Sequence, residues 1–118
     1  MRRALGLILL LAMSFAGGHA KAEKTDLKLI GSQGTQHFFT VSEPWIWDAS
    51  YIENVAINFC RGKRMCMVHF WMTGTPAASR LPMTEAQMKA ELATFQNGRM
   101  MWRCGKYKAA TSSNCFSD

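Results

Sequence analysis

The segment from residue 58 to residue 72 constrains the fold more than any other part of the chain. It contains two of the four cysteines, a dense basic run at residues 61–64, and a nearly continuous apolar run from Met65 to Met72. An apolar run of this length is typical of a strand that is buried on both faces. The segment therefore predicts the end of a helix, a tight basic turn and a central strand.

The amino terminus has the pattern of a cleaved secretory signal peptide over residues 1–22. A basic start, Met1 to Arg3, is followed by an apolar run over residues 4–16 and by small residues around Ala20 and Ala22. This order of basic, apolar and small residues is typical of an export signal. The apolar run is shorter than the roughly 20 residues that a spanning helix needs. We therefore expect a secreted or periplasmic protein with no membrane span after cleavage.

The charge balance after export argues against a nucleic-acid binder. Removing residues 1–22 from the 118 leaves 96 residues with 11 Lys and Arg against eight Asp and Glu, a net charge of +3. Nucleic-acid binding domains have a far stronger basic patch or stripe. A modest positive charge is better suited to acidic proteins or anionic surfaces.

Four cysteines in an exported chain of this size predict two disulfides within one domain. We expect a flexible lead-in over residues 23–35, which includes a short edge strand, followed by a single domain over residues 36–118. Short local loops favour the pairs Cys60–Cys66 and Cys104–Cys115. The alternative is a bond between the two halves of the domain, for example Cys60 to Cys104.

The first half of the domain predicts a strand over residues 36–41 and a helix over residues 50–59. Ser50 and Glu53 have the spacing of a capping box, and Gly62 is placed to end the helix. A strand is the alternative for the helical segment, because its apolar and β-branched residues also alternate.

The second half predicts a helix and a final strand. Residues 84–87 form a second capping box, and an apolar stripe from Met88 to Phe95 continues the helical pattern to a stop at residues 97–98. Residues 100–104 follow as a strand.

The predicted order of elements is β-α-β-α-β, with one small sheet of about three to four strands and two helices. This order indicates an α+β fold. A parallel α/β arrangement is the alternative, because both helices could serve as crossover connections.

The sequence has no catalytic signature. It lacks the G-x-S-x-G elbow of a hydrolase, a phosphate-binding glycine loop, and the C-x-x-C spacing of a redox site. A small hydrolase or redox enzyme without a readable motif is therefore one alternative. A periplasmic copper-binding protein is another, because Met65, Met67 and His69 alternate along a predicted strand and thioethers suit Cu(I).

We expect a non-catalytic binding module of the cell envelope that needs no cofactor. Its candidate partner-binding residues are Arg61, Lys63 and Arg64 in the basic turn, and Trp45 and Trp47 before the first helix. The expected partner is an envelope protein or an anionic envelope component.

Overall fold

The computed structural model describes residues 27–105 and 114–116, and a single five-stranded sheet forms its centre. The α+β prediction is confirmed, but the expected three to four strands fall short of the five observed. The elements in chain order are β1 (Lys28–Gln33), β2 (Gln36–Val41), α1 (Ala49–Cys60), β3 (Met67–Met72), α2 (Glu85–Ala90), β4 (Ala93–Gln96) and β5 (Arg99–Trp102). The predicted signal peptide lies outside the described residues.

The sheet is mixed, and its strands lie side by side in chain order. Strands β2 and β3 are parallel, and each of the other neighbouring pairs is antiparallel. A parallel pair needs a long crossover connection, which α1 supplies here. The alternative of a parallel α/β arrangement is therefore wrong, because three of the four neighbouring strand pairs in the described sheet are antiparallel.

Strand β1 occupies most of the second half of the expected lead-in. It is the edge strand that the sequence indicated, and it pairs with β2 with an irregularity between Leu29 and Gly31. A Cβ atom at Gly31 would lie 2.1 Å from the carbonyl oxygen of Ser79, so only glycine allows this close approach of the loop to the strand.

Helix α1 confirms the helical reading of residues 50–59 but not its predicted cap. The side chain of Asp48, not Ser50, accepts a hydrogen bond from the backbone N–H of Tyr51 at 3.1 Å. Both residue types are good caps, and the chain turns into the helix two residues earlier than the capping-box pattern indicated. Gly62, with φ of 81°, follows the helix as predicted.

Helix α2 is much shorter than predicted. The capping box of Thr84 and Gln87 is present, but the helix ends at Ala90. Residues 93–96 form β4, and Asn97 and Gly98, with φ of 53° and 78°, form the two-residue turn of a hairpin. Antiparallel pairing with β3 and β5 thus overrides the local helical pattern.

The core lies on both faces of β3, as the apolar run predicted. On one face, Ile52 and Ala56 of α1 pack against a large cluster that includes Val68 and Phe70. On the other face, Trp71 joins a smaller cluster under the connection from β3 to α2. In the part of the chain that the structure describes, no helix has the length and hydropathy to cross a membrane.

Candidate functional site

The basic turn, residues 61–64, is held at both ends by covalent and hydrogen bonds. A disulfide joins Cys60, the last residue of α1, to Cys66, directly before β3, with a Cα–Cα distance of 5.7 Å. The backbone N–H of Lys63 donates to the carbonyl of Cys60 at 2.9 Å. The second predicted disulfide, Cys104–Cys115, is also present, so all four cysteines are paired. Two disulfides in so small a chain fit an oxidising, extracellular environment.

The side chains of Arg61, Lys63 and Arg64 are exposed and form no ion pair with any described carboxylate. The Lys63 ammonium donates to the carbonyl of Phe59 at 2.9 Å and lies 4.6 Å from the centroid of the Phe59 ring. It therefore stabilises the carboxyl end of α1. The two arginines have no comparable structural role.

A groove of about 310 Å³ separates the basic turn from the hairpin between β4 and β5. We call it the cationic groove. Its lining includes the three cations, Ile57 of α1, Met65 and the hairpin residue Asn97. Ile57 is 41% exposed and Met65 is 69% exposed. Apolar surface therefore lies beside unpaired positive charge.

Trp45 and Trp47 do not belong to this groove. They form a single 3₁₀ turn before α1, whereas the basic turn follows α1, which is 12 residues and therefore about 18 Å long. The Trp45 ring packs on the main core and lies 5.5 Å from the Tyr51 ring. Trp47 is 37% exposed, and its indole N–H donates to Glu43. The two rings do not share an exposed strand face, because the segment is a 3₁₀ turn instead of an extended chain.

A buried polar network links three strands beneath the second face of the sheet. His69 on β3 is 4% exposed and Glu91 is 6% exposed. The His69 Nδ1–H donates to Glu91 Oε2 at 2.7 Å, and the Thr94 hydroxyl donates to the same oxygen. The other ring nitrogen, Nε2, lies 2.7 Å from Gln36 Oε1 on β2, and the imidazole stacks on Phe38.

This network resembles two members of a catalytic triad but lacks the third. In a triad, the nitrogen that faces away from the carboxylate contacts a nucleophile. Here that nitrogen contacts the side-chain amide of Gln36, which is not a nucleophile. The geometry is that of a structural tie between β2, β3 and β4.

The residues of the copper hypothesis are also not arranged as that hypothesis requires. Strand β3 begins at Met67, so Met65 lies in the turn and not on a strand face with His69, as the alternation predicted. Both imidazole nitrogens of His69 already have partners, and a metal ion would have to displace Gln36 or Glu91. Across residues 27–105 and 114–116, no three His, Cys, Asp or Glu side chains cluster as metal ligands.

A second concavity, of about 710 Å³, lies between α2, β5 and the carboxyl-terminal segment. Its lining combines four apolar side chains with four charged ones: Met83, Met88, Met101 and Phe116, and Glu85, Lys89, Glu91 and Arg103. The Arg103 guanidinium at its edge donates to the carbonyls of Glu91 and Met88, and it stacks on Phe116. Arg103 therefore closes the end of α2 and is not available for a ligand.

Sequence reasoning identified the cations of the groove but missed its apolar part. Met65 was assigned to the alternative copper site, and Ile57 was considered only in the alternative that made residues 50–59 a strand. Their position in the sequence could have identified them, because both flank the predicted basic turn. The buried network of Gln36, His69 and Glu91 was missed because 55 residues separate Gln36 from Glu91 in the sequence.

No protein-family model, curated protein or solved structure matches this chain.

Proposed function

We propose that this protein is a non-catalytic binding module of the cell envelope, and that it captures a negatively charged envelope component at the cationic groove. The observation that carries the proposal is the composition of the groove. Three exposed cations on a disulfide-closed turn lie beside the exposed side chains of Ile57 and Met65.

The disulfide supports binding because it orders the turn before a partner arrives. A pre-ordered surface loses less conformational entropy on association than a flexible one. The hydrogen bond from the Lys63 ammonium to the Phe59 carbonyl further fixes the direction of the turn.

The charges supply the attraction and the apolar side chains supply the contact. Unpaired surface cations accelerate association with an anionic partner, and the acceleration falls with ionic strength. Burial of a large apolar side chain is worth about 1.5–3 kcal/mol, so covering the exposed parts of these side chains would add about 0.6–1.2 kcal/mol for Ile57 and about 1–2 kcal/mol for Met65. Together these terms favour a partner that is acidic and partly apolar.

A predicted export signal supports the envelope as the place of action. The basic, apolar and small residues of the segment 1–22 predict a signal peptide. Both disulfides are consistent with folding outside the cytoplasm.

Binding to a fluorescent polyglutamate peptide tests the proposal, with an uncharged polyglutamine peptide as the reference ligand. The mature chain should bind polyglutamate in a salt-dependent manner. Serine at positions 61, 63 and 64 should weaken this binding at least about tenfold at low salt.

The matched control is the double variant Lys28→Ser with Lys89→Ser, which is compared with the basic-turn variant Arg61→Ser with Arg64→Ser because each removes two positive charges. Both of these lysines are exposed and lie outside the cationic groove. Equal loss of binding in this control and in the basic-turn variant would show that only net charge matters. That result would remove the groove as the site.

A further inference from the structure

We propose that the anionic component is the surface of a phospholipid bilayer, to which the protein attaches peripherally with Met65 inserted at the level of the lipid headgroups. This inference rests on the proposed function, because it names the partner of the same groove.

The register of the sheet places the groove within a larger surface. Gln33, Gln36, Met67, Gln96 and Arg99 form one row across all five strands and mark one end of the sheet. Three connections meet at this end: the β1–β2 turn, the basic turn and the β4–β5 hairpin. With neighbouring strands about 4.8 Å apart, the end is about 19 Å wide.

All charges of this end have the same sign. Over residues 33–36, 61–67 and 96–99, the charged residues are Arg61, Lys63, Arg64 and Arg99, and there is no carboxylate. We call this surface the cationic end. The other end of the sheet has charges of both signs, since the connection from β2 to α1 contains Glu43 and Asp48 while Lys28 begins β1 and Arg103 follows β5. The protein is therefore polarised along its strands and would orient with the cationic end toward an anionic surface.

Met65 has the position that membrane insertion requires. It is the most exposed large apolar side chain of the described residues, and it directly follows Arg64 in the disulfide-closed turn. Peripheral proteins bind bilayers by burying apolar side chains at the headgroup boundary while neighbouring Lys and Arg contact anionic lipids. Ile57 lies beside it in the same groove.

A bilayer explains the surface better than an acidic protein does. A specific protein interface buries about 800 Å² on each partner around a close-packed centre, with anchors in pockets. The cationic end has two small concavities, the cationic groove of about 310 Å³ and one of about 280 Å³ beside Arg99, and its cations are distributed between the basic turn and the start of β5. Such a surface matches a planar field of negative charge without a fixed register.

Cosedimentation of the mature protein with lipid vesicles tests the inference. The vesicles contain phosphatidylglycerol mixed with phosphatidylcholine, or phosphatidylcholine alone. We expect binding to the anionic vesicles only, and release as salt is raised. Arg61→Ser with Arg64→Ser should weaken binding about 30-fold, because each basic residue near an anionic surface contributes about fivefold.

Two substitutions at one position test the insertion itself. Met65→Asp should abolish vesicle binding, and Met65→Trp should strengthen it, since tryptophan favours the interface. Lys28→Ser with Lys89→Ser removes the same charge as the double arginine variant and should change binding less than about threefold. Thermal melts within a few degrees of wild type establish that each variant is folded.

The outcomes separate this inference from the proposed function. Binding to polyglutamate that depends on the basic turn, without binding to anionic vesicles, would overturn the bilayer proposal and leave the anionic-capture proposal standing. Failure to bind either probe would overturn both. Vesicle binding that is insensitive to Met65→Asp would also overturn the inference.

Discussion

Removing the disulfide that closes the basic turn should destabilise the whole domain and weaken the site. The change is Cys60→Ala with Cys66→Ala, chosen because both side chains contact the main core and a serine hydroxyl there would add a desolvation cost. The sequence separation of six closes a short loop. By limiting the conformational entropy of the unfolded chain, a disulfide that closes a loop of this length stabilises the folded state by about 2.4 kcal/mol.

This free energy is large for a domain of this size. A loss of 1 kcal/mol lowers the melting temperature of a 60–100-residue domain by about 4–8 °C, so the variant should melt about 10–19 °C lower than wild type. It should also bind polyglutamate more weakly at unchanged charge, because the turn would have to be ordered on binding.

Thermal unfolding followed by circular dichroism measures the first effect, and fluorescence anisotropy at a temperature where both proteins are folded measures the second. The matched control is Cys104→Ala with Cys115→Ala, which opens a loop of separation 11 away from the site. The control should lose about as much stability but keep its affinity. If the Cys60–Cys66 variant melts within about 3 °C of wild type, or binds as well as the control, the turn is not pre-ordered by its disulfide.

Three further predictions concern the charges and the buried network. The triple-serine variant of the basic turn should change the free energy of unfolding by less than about 1 kcal/mol in urea denaturation, because exposed charges contribute little to folding; a larger loss would indicate a structural role. Glu91→Ala should cost about 3 kcal/mol in the same assay, since it leaves His69 and Thr94 without their shared acceptor, and a cost below about 1 kcal/mol would contradict the network. Burial, followed by the positive charge of Lys63, lowers the pKa of His37 below its ordinary value of 6.5. The unfolded chain therefore binds more protons, so the free energy of unfolding should fall as the pH drops from above 6.5 through the folded-state pKa of His37. This dependence on pH should be weaker in His37→Asn. An unchanged dependence in that variant would exclude His37 as its source.

Local patterns in the sequence predicted the local parts of the fold. The capping box of Thr84 and Gln87 depends on residues three apart and forms as expected. Likewise, Gly62 ends α1, and each disulfide closes a short loop. These features are determined by neighbouring residues, so a linear sequence contains the required information.

Strand pairing could not be read in the same way. Phe95 fits the helical stripe that begins at Met88, yet it pairs with Val68 of β3, which is 27 residues away in sequence. Asn97 and Gly98 fit a helix stop and a hairpin turn equally well, and the choice depends on whether β3 is available as a partner. The second helix was therefore predicted too long and absorbed the fourth strand, whereas the fifth strand was predicted separately over residues 100–104.

The sequence predicted the cations of the candidate site but not the surface to which they belong. The basic turn was identified because its cations are consecutive in sequence. The contribution of Arg99 and the shared end of all five strands depend on the register, which no local pattern reveals. Trp45 and Trp47 were included because exposed tryptophan is typical of interfaces, but the length of α1 separates them from the cations.

The most direct test of the central claim is the binding of the mature protein to isolated cell envelopes as a function of salt concentration. Wild type and the Lys28→Ser, Lys89→Ser control should sediment with the envelopes at low salt and be released together as the salt is raised. The Arg61→Ser, Arg64→Ser variant should remain in the supernatant at every salt concentration. Cosedimentation of that variant to the same extent as the control would contradict a binding function for the cationic end.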